Sequence, residues 1–101
     1  MAEYNLEILP IAKNDMNEMV DYLNKFDCQT AIGIYDEIID SIKSLTKFPD
    51  RFPFVKVPQL RAKGYRFIIV KRYIVFFVVK GKTVEIRRVL HEKRNYINLL
   101  K

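Results

Sequence analysis

The chain has 101 residues, half of them apolar, which is enough for one domain with a modest core and excludes a disordered tail. No apolar run approaches the roughly 18–20 residues of a membrane span, and the first ten residues lack the pattern of a signal peptide. The formal net charge of +6 divides into −6 for residues 1–50 and +12 for residues 51–101. We therefore expect a cytoplasmic protein, without a membrane partner, that meets a polyanion with its basic half.

The sequence contains few residues that could bind a metal ion through sulfur or imidazole or form a disulfide. The chain has one cysteine, Cys28, and one histidine, His91. A lone cysteine excludes an internal disulfide framework, and the pair does not make a zinc ligand set. We expect no metal and no cofactor, and we interpret Cys28 as a packed structural cysteine.

The first half of the chain predicts a strand followed by two helices. Residues 4–8 alternate apolar and polar side chains, as in a half-buried strand. Pro10 suits a helix start, and apolar residues then recur at helical spacing over residues 10–26. Asp27 or Thr30 is the N-cap of a second helix. Its apolar seam is formed by Ala31, Tyr35, Ile38, Ile42 and Leu45. Phe48-Pro49 ends this helix, so residues 10–48 predict an antiparallel helical hairpin.

The second half predicts a three-stranded meander. An irregular basic connector with three prolines follows the hairpin, and Phe52 and Phe54 are its expected anchors. β-Branched and aromatic residues then fill residues 65–70, 73–79 and 83–90. The tail after residue 90 is a short helix or an ordered segment. The fold class is α+β, in the order β-α-α-β-β-β-α, with an antiparallel sheet packed against the N-terminal helical hairpin.

The middle of the sheet is apolar on both faces. Residues 68–79 lack the alternation of a sheet with one wet face. The helices cover one face, so we expect the second face to lie beneath the connector and a bound chain.

Residues able to carry chemistry lie near the strand ends. The period of two predicts that Arg87 and His91 share an exposed face, and that Arg88 lies on the other face, buried against a helix acid. Arginines bind phosphate, His91 can transfer a proton, and Tyr65, Tyr73 or Tyr96 can stack on a base. Such a set could cleave RNA without metal through the 2′-hydroxyl. The plainer alternatives are a solvated Arg87, a capping or packing His91, and core tyrosines.

The sequence resembles the RelE/ParE superfamily of toxins from type II toxin–antitoxin systems along essentially its whole length. The resemblance is carried by Ala12-x-x-Asp15, Tyr22-Leu23, residues 38–49 (IIDSIKSLTKFP), Gly64-Tyr65-Arg66 and residues 88–95 (RVLHEKRN). It implies a growth-inhibiting toxin that is neutralised by a cognate antitoxin. RelE-like members cut mRNA on the ribosome, whereas ParE-like members poison DNA gyrase.

The resemblance also implies a set of site residues. Arg66 matches the arginine that contacts the scissile phosphate in the nuclease branch. With it we group His91, Arg87 and Tyr96 as the catalytic set of a metal-independent endoribonuclease. The nucleic-acid-binding set is Arg61, Lys63, Lys71, Arg72, Lys93 and Arg94. The paired lysines of that branch are replaced here by residues 56–60 (KVPQL).

Three functions stay open at this point. The main expectation is growth inhibition by ribosome-dependent mRNA cleavage. The alternatives are inhibition of DNA gyrase without nuclease activity and a degenerate member that only binds an antitoxin or DNA. All three predict tight, salt-sensitive binding to an acidic antitoxin.

Overall fold

A computed structural model describes residues 3–100 of the chain. The elements are β1 (Asn5–Ile8), α1 (Pro10–Asn24), α2 (Cys28–Lys43), α3 (Pro58–Ala62), β2 (Arg66–Val70), β3 (Tyr73–Lys80), β4 (Thr83–His91) and α4 (Tyr96–Leu100). Two 3₁₀ turns, Ser44–Thr46 and Pro49–Arg51, follow α2. This order confirms the predicted α+β domain and adds α3, a short helix inside the connector. Within residues 3–100, no helix is long and apolar enough to cross a membrane.

The helical hairpin forms as the sequence predicts, except that α2 ends at Lys43 rather than at Phe48, and the 3₁₀ turn Ser44–Thr46 follows it. Asp27 is the N-cap of α2: its Oδ1 accepts from the Gln29 backbone N–H at 3.0 Å, and its Oδ2 accepts from the Thr30 hydroxyl at 2.8 Å. These hydrogen bonds, led by the one from Thr30, lower the pKa of the Asp27 carboxyl. Cys28, the first residue of α2, is exposed rather than packed, which corrects our interpretation of this residue.

The sheet has the order β1-β4-β3-β2. The β2-β3-β4 meander is antiparallel, as predicted, while β1 pairs in parallel with β4 and makes the sheet mixed. β1 covers only Thr83–Ile86, the first half of β4. Past that point, Asp15 of α1 accepts a hydrogen bond from the Val89 backbone N–H at 3.1 Å, so a helix side chain satisfies a donor in the second half of β4.

Both faces of the sheet are covered by the chain itself. The α1–α2 hairpin packs on one face, hereafter the hairpin face, around Met16, Ile38, Phe77 and other apolar residues. The other face, hereafter the connector face, carries a second cluster. Its buried members are Val55, Leu60, Tyr65, Phe76, Val78, Leu90 and Leu100. The connector and α4 thus supply the cover that the two-sided apolar strands require.

One irregularity in the sheet decides where the site residues point. Phe76 pairs with Arg88 but the next residue, Phe77, pairs with Ile86, so Arg87 is an extra residue in β4. Such a β-bulge breaks the alternation of side chains between the two faces. Arg87 and His91 therefore do not share a face, although their spacing predicts that they do.

Candidate functional site

His91 closes β4 beside an open cavity on the hairpin face. Its ring meets the Tyr73 ring edge-on at 5.2 Å, and its Nδ1 accepts a hydrogen bond from the Lys93 backbone N–H at 3.1 Å. The cavity holds about 400 Å³ and is also lined by Tyr22 and Arg94. Because Nδ1 is occupied, Nε2 is the ring nitrogen available to a ligand.

Tyr73 belongs to the core beneath this cavity rather than to a stacking platform. It is buried in the hairpin-face cluster. Burial, with a smaller contribution from Tyr22, raises the pKa of its phenol above the ordinary value.

Arg66 is held by the connector at the other end of the sheet. Its Nη1 donates to the carbonyl oxygens of Asp50 at 3.1 Å and Phe52 at 2.6 Å, and its Nη2 lies 3.7 Å from the Asp50 carboxylate. Its guanidinium stacks over the Phe54 ring at 3.8 Å. Only 15% of the side chain is exposed. A phosphate would have to displace several of these contacts, so Arg66 anchors the connector to β2.

Arg87 lies on the connector face and is paired with an acid. Its Nε donates a hydrogen bond to Glu85 Oε1 at 3.0 Å, and its Nη2 forms a salt bridge with the same oxygen at 2.8 Å. Its guanidinium lies 5.9 Å from the centre of the Tyr65 ring. A cavity of about 340 Å³ beside it is also lined by Lys63 and Lys80. This cavity is basic, but a bound phosphate would compete with Glu85 for Arg87.

The four residues predicted to form a catalytic set therefore lie in separate places. Arg66 pairs with Phe77 and His91 pairs with Tyr73, four residues apart on β3, which is about 13 Å along the strand. Arg87 lies on the opposite face from His91. Tyr96 packs against Phe76 at 5.1 Å on the connector face and is half-buried. No single phosphate reaches all four side chains.

The residues predicted to bind nucleic acid are also dispersed. Lys93 and Arg94 line the His91 cavity, and Lys63 lines the cavity beside Arg87. Lys71 pairs with Glu37 at 3.5 Å, and Arg72 pairs with Glu92 at 3.2 Å. Arg61 lies 5.6 Å from the centre of the Phe54 ring. They form several small basic areas rather than one continuous groove.

Arg88 has the buried acid partner that the sequence predicts. Its Nε and Nη2 donate to the two carboxylate oxygens of Asp15 at 2.7 and 2.9 Å. The hydrogen bonds that the Arg88 guanidinium donates to Asp15 raise its pKa. Asp15 belongs to the Ala12-x-x-Asp15 motif, so this motif and the arginine of residues 88–95 meet in one ion pair.

The sequence places Phe48 at the end of a helix but does not predict its backbone conformation. This exposed aromatic residue has left-handed backbone angles, with φ 50° and ψ 55°. The signal was available in part, because Phe48 precedes a proline and so cannot continue a helix. Nothing in the sequence indicated a positive φ for a residue with a bulky side chain.

Comparison with known proteins identifies the family. The model of the ParE toxin of type II toxin–antitoxin systems (parDE) matches residues 6–96, so the chain belongs to this family of toxins. Among proteins of curated function, no sequence matches significantly.

Two solved structures share the fold. A chain of the chromosomal ParDE toxin–antitoxin system from P. aeruginosa superposes with a TM-score of 0.71 at 21% identity, over 88% of this chain and 96% of that one. A chain of the toxin–antitoxin complex RelBE2 from Mycobacterium tuberculosis superposes with a TM-score of 0.67 at 16% identity, over 89% and 99%. The RelE/ParE architecture expected from the sequence is confirmed, and the cognate partner of such a toxin is an antitoxin.

Proposed function

We propose that this toxin arrests growth by binding its target, DNA gyrase, rather than by cleaving mRNA. The observation that supports the proposal most is the separation of the predicted catalytic residues. Arg66 donates hydrogen bonds to the connector, and Arg87 donates to Glu85 on the connector face. His91 lies against Tyr73 on the hairpin face.

Metal-independent RNA cleavage needs several groups around one phosphate. One group removes the proton of the 2′-hydroxyl, another protonates the leaving oxygen, and a cation stabilises the charge that builds up between them. Misplacing such groups by even about 1 Å costs on the order of 100-fold in rate. The gap of about 13 Å along β3 between the levels of Arg66 and His91 therefore supports a function that does not need these two side chains at one phosphate.

Gyrase as the target rests on the resemblance to the ParE-like branch, whose members act without this nuclease set. The replacement of the paired lysines of the nuclease branch by residues 56–60 (KVPQL) agrees with this choice.

One observation favours mRNA cleavage as a second candidate. His91 shares its cavity with Lys93 and Arg94, so a histidine that can transfer a proton lies near two cations that can hold a phosphate. In that mechanism Arg66 and Arg87 would have no direct part, and the C-terminal end of β4 would carry the activity.

The decisive experiment expresses the parent and His91→Ala proteins and follows growth, transcript ends and gyrase. Under our proposal both proteins arrest growth and inhibit DNA supercoiling by purified gyrase, and primer extension finds no toxin-dependent cuts in mRNA. Arg87→Ala, on the opposite face, is the matched control. Cut transcripts that disappear only in His91→Ala would establish the second candidate instead. Supercoiling that the parent leaves unchanged would refute the gyrase assignment.

A further inference from the structure

Phe48 lines a depression that contains none of the predicted catalytic or nucleic-acid-binding residues. The depression holds about 880 Å³, more than twice the His91 cavity, and its lining includes Tyr4, Phe48 and three basic residues. The basic residues are Lys47, Arg51 and Lys82. We call it the Phe48 depression.

The backbone at Phe48 is strained and is held in place. Its φ of 50° lies in the left-handed region, which residues with a bulky side chain rarely adopt. Arg51 locks the turn, because its Nη1 donates to the carbonyl oxygens of Lys47 and Phe48 and its Nη2 donates to the Ser44 hydroxyl at 3.2 Å. Strain that the surrounding structure enforces is typical of functional positions.

The strain keeps a large apolar side chain in solvent. The Phe48 residue is 63% exposed and belongs to neither the hairpin-face nor the connector-face cluster. Aromatic residues, phenylalanine among them, are enriched in protein–protein interfaces relative to the rest of the surface.

The charges around the depression indicate what the occupant carries. The two acids at its rim are already paired: Glu3 lies 3.8 Å from Lys47, and Asp50 lies 3.7 Å from Arg66. In the described part of the chain, neither Arg51 nor Lys82 forms a salt bridge, and Lys82 lies instead 5.0 Å from the centre of the Tyr4 ring. The rim therefore carries two positive charges that no acid among residues 3–100 neutralises: Arg51 is held by the hydrogen bonds of the turn, and the Lys82 ammonium is the group able to pair with a carboxylate of a partner.

We infer that the Phe48 depression is the surface with which this toxin contacts its protein target, and that the target inserts an apolar side chain flanked by acidic residues. The apolar side chain would pack against Phe48 and Tyr4, and a carboxylate would pair with the Lys82 ammonium. A depression of this size suits one projecting segment of a target. The antitoxin is the alternative occupant, and its binding to the Phe48→Gly protein distinguishes the two. The inference rests on the proposed function, because it assumes that the target is a protein.

Phe48→Gly tests this inference without harming the fold, because glycine adopts a positive φ freely. Phe26→Ala, which truncates a phenylalanine residue that is 72% exposed at the tip of the hairpin, is the matched control. We expect Phe48→Gly to require at least about tenfold more toxin for half-inhibition of gyrase supercoiling, and to weaken growth arrest. It should still co-purify with the antitoxin, and Phe26→Ala should inhibit gyrase like the parent.

A charge reversal gives an independent test. Lys82→Glu should weaken gyrase inhibition in the same direction, whereas Lys13→Glu, on the exposed side of α1, should not. Phe48→Gly that inhibits as strongly as the parent would overturn the inference, and so would its failure to bind the antitoxin. If the parent does not inhibit gyrase, the proposed target is wrong. Growth arrest then decides the inference alone, and arrest by Phe48→Gly equal to that of the parent refutes it.

Discussion

The ion pair between Asp15 and Arg88 joins α1 to β4, and its removal should destabilise the domain strongly. Asp15→Ala deletes the acceptor of three hydrogen bonds, two from the Arg88 guanidinium and one from the Val89 backbone N–H. The Asp15 and Arg88 side chains are only 6% and 13% exposed. Water therefore replaces the lost partner of Arg88 only in part.

The expected magnitude follows from this burial. Removing one partner of a buried ion pair costs about 3–5 kcal/mol, and the residual exposure of Arg88 places the cost near the lower end, at about 3 kcal/mol. A domain of this size is stable by about 5–15 kcal/mol. At about 4 °C or more per kcal/mol, Asp15→Ala should lower Tm by about 12 °C or more. Asp15→Asn should cost less, because its amide oxygen still accepts from Val89.

Urea unfolding followed by circular dichroism measures this loss. The control is Glu37→Ala, which breaks the exposed Lys71–Glu37 pair and should cost less than about 1 kcal/mol. Arg88→Ala and the double variant complete a double-mutant cycle, in which the double variant should lose clearly less than the sum of the two single losses. If Asp15→Ala costs no more than Glu37→Ala, the reasoning from burial is refuted.

Three further outcomes are expected. Asp27→Ala should lower Tm at neutral pH. The pKa of the Asp27 carboxyl is lowered in the native state, so its stabilisation is present above the unfolded-state pKa and is lost as pH falls through the native-state pKa. The difference in Tm between variant and parent in thermal melts should therefore vanish in acid. Lys71→Gly should raise the free energy of unfolding by up to about 1 kcal/mol, because Lys71 has a φ of 56°, which glycine adopts without strain, as Gly81 does in the next turn. Arg72→Gly is the control and should not raise it. Affinity for an acidic antitoxin should fall as NaCl rises from about 0.05 to 0.5 M, and calorimetric titrations that show no change would contradict the electrostatic contribution.

Local patterns were sufficient for most of the elements. The helical hairpin follows from apolar spacing and from Asp27, whose side chain caps α2 as the residue type predicts. The strands follow from runs of β-branched and aromatic residues. Even the buried partner of Arg88 was foreseeable, because an arginine among apolar strand residues needs an acid from the packed helix. Each of these inferences depends on residues close together in the sequence or on one requirement of burial.

The tertiary structure alone decided the arrangement of the site. The bulge at Arg87 results from the register between β3 and β4, which no local pattern specifies, and it separates Arg87 from His91. Arg66 binds connector carbonyl oxygens 14 and 16 residues away along the chain, and that contact exists only once the connector has folded back over β2.

The division of charge between residues 1–50 and 51–101 takes a more specific form in the folded protein. By itself, the sequence determined that residues 51–101 are strongly basic and that the family is a toxin family. The fold distributed the basic residues over both faces of the sheet and paired many of them with acids, among them Lys71 with Glu37 and Arg72 with Glu92. It left Arg51 and Lys82 beside a strained Phe48, because side-chain pairing and backbone strain depend on contacts between residues that are distant in the sequence.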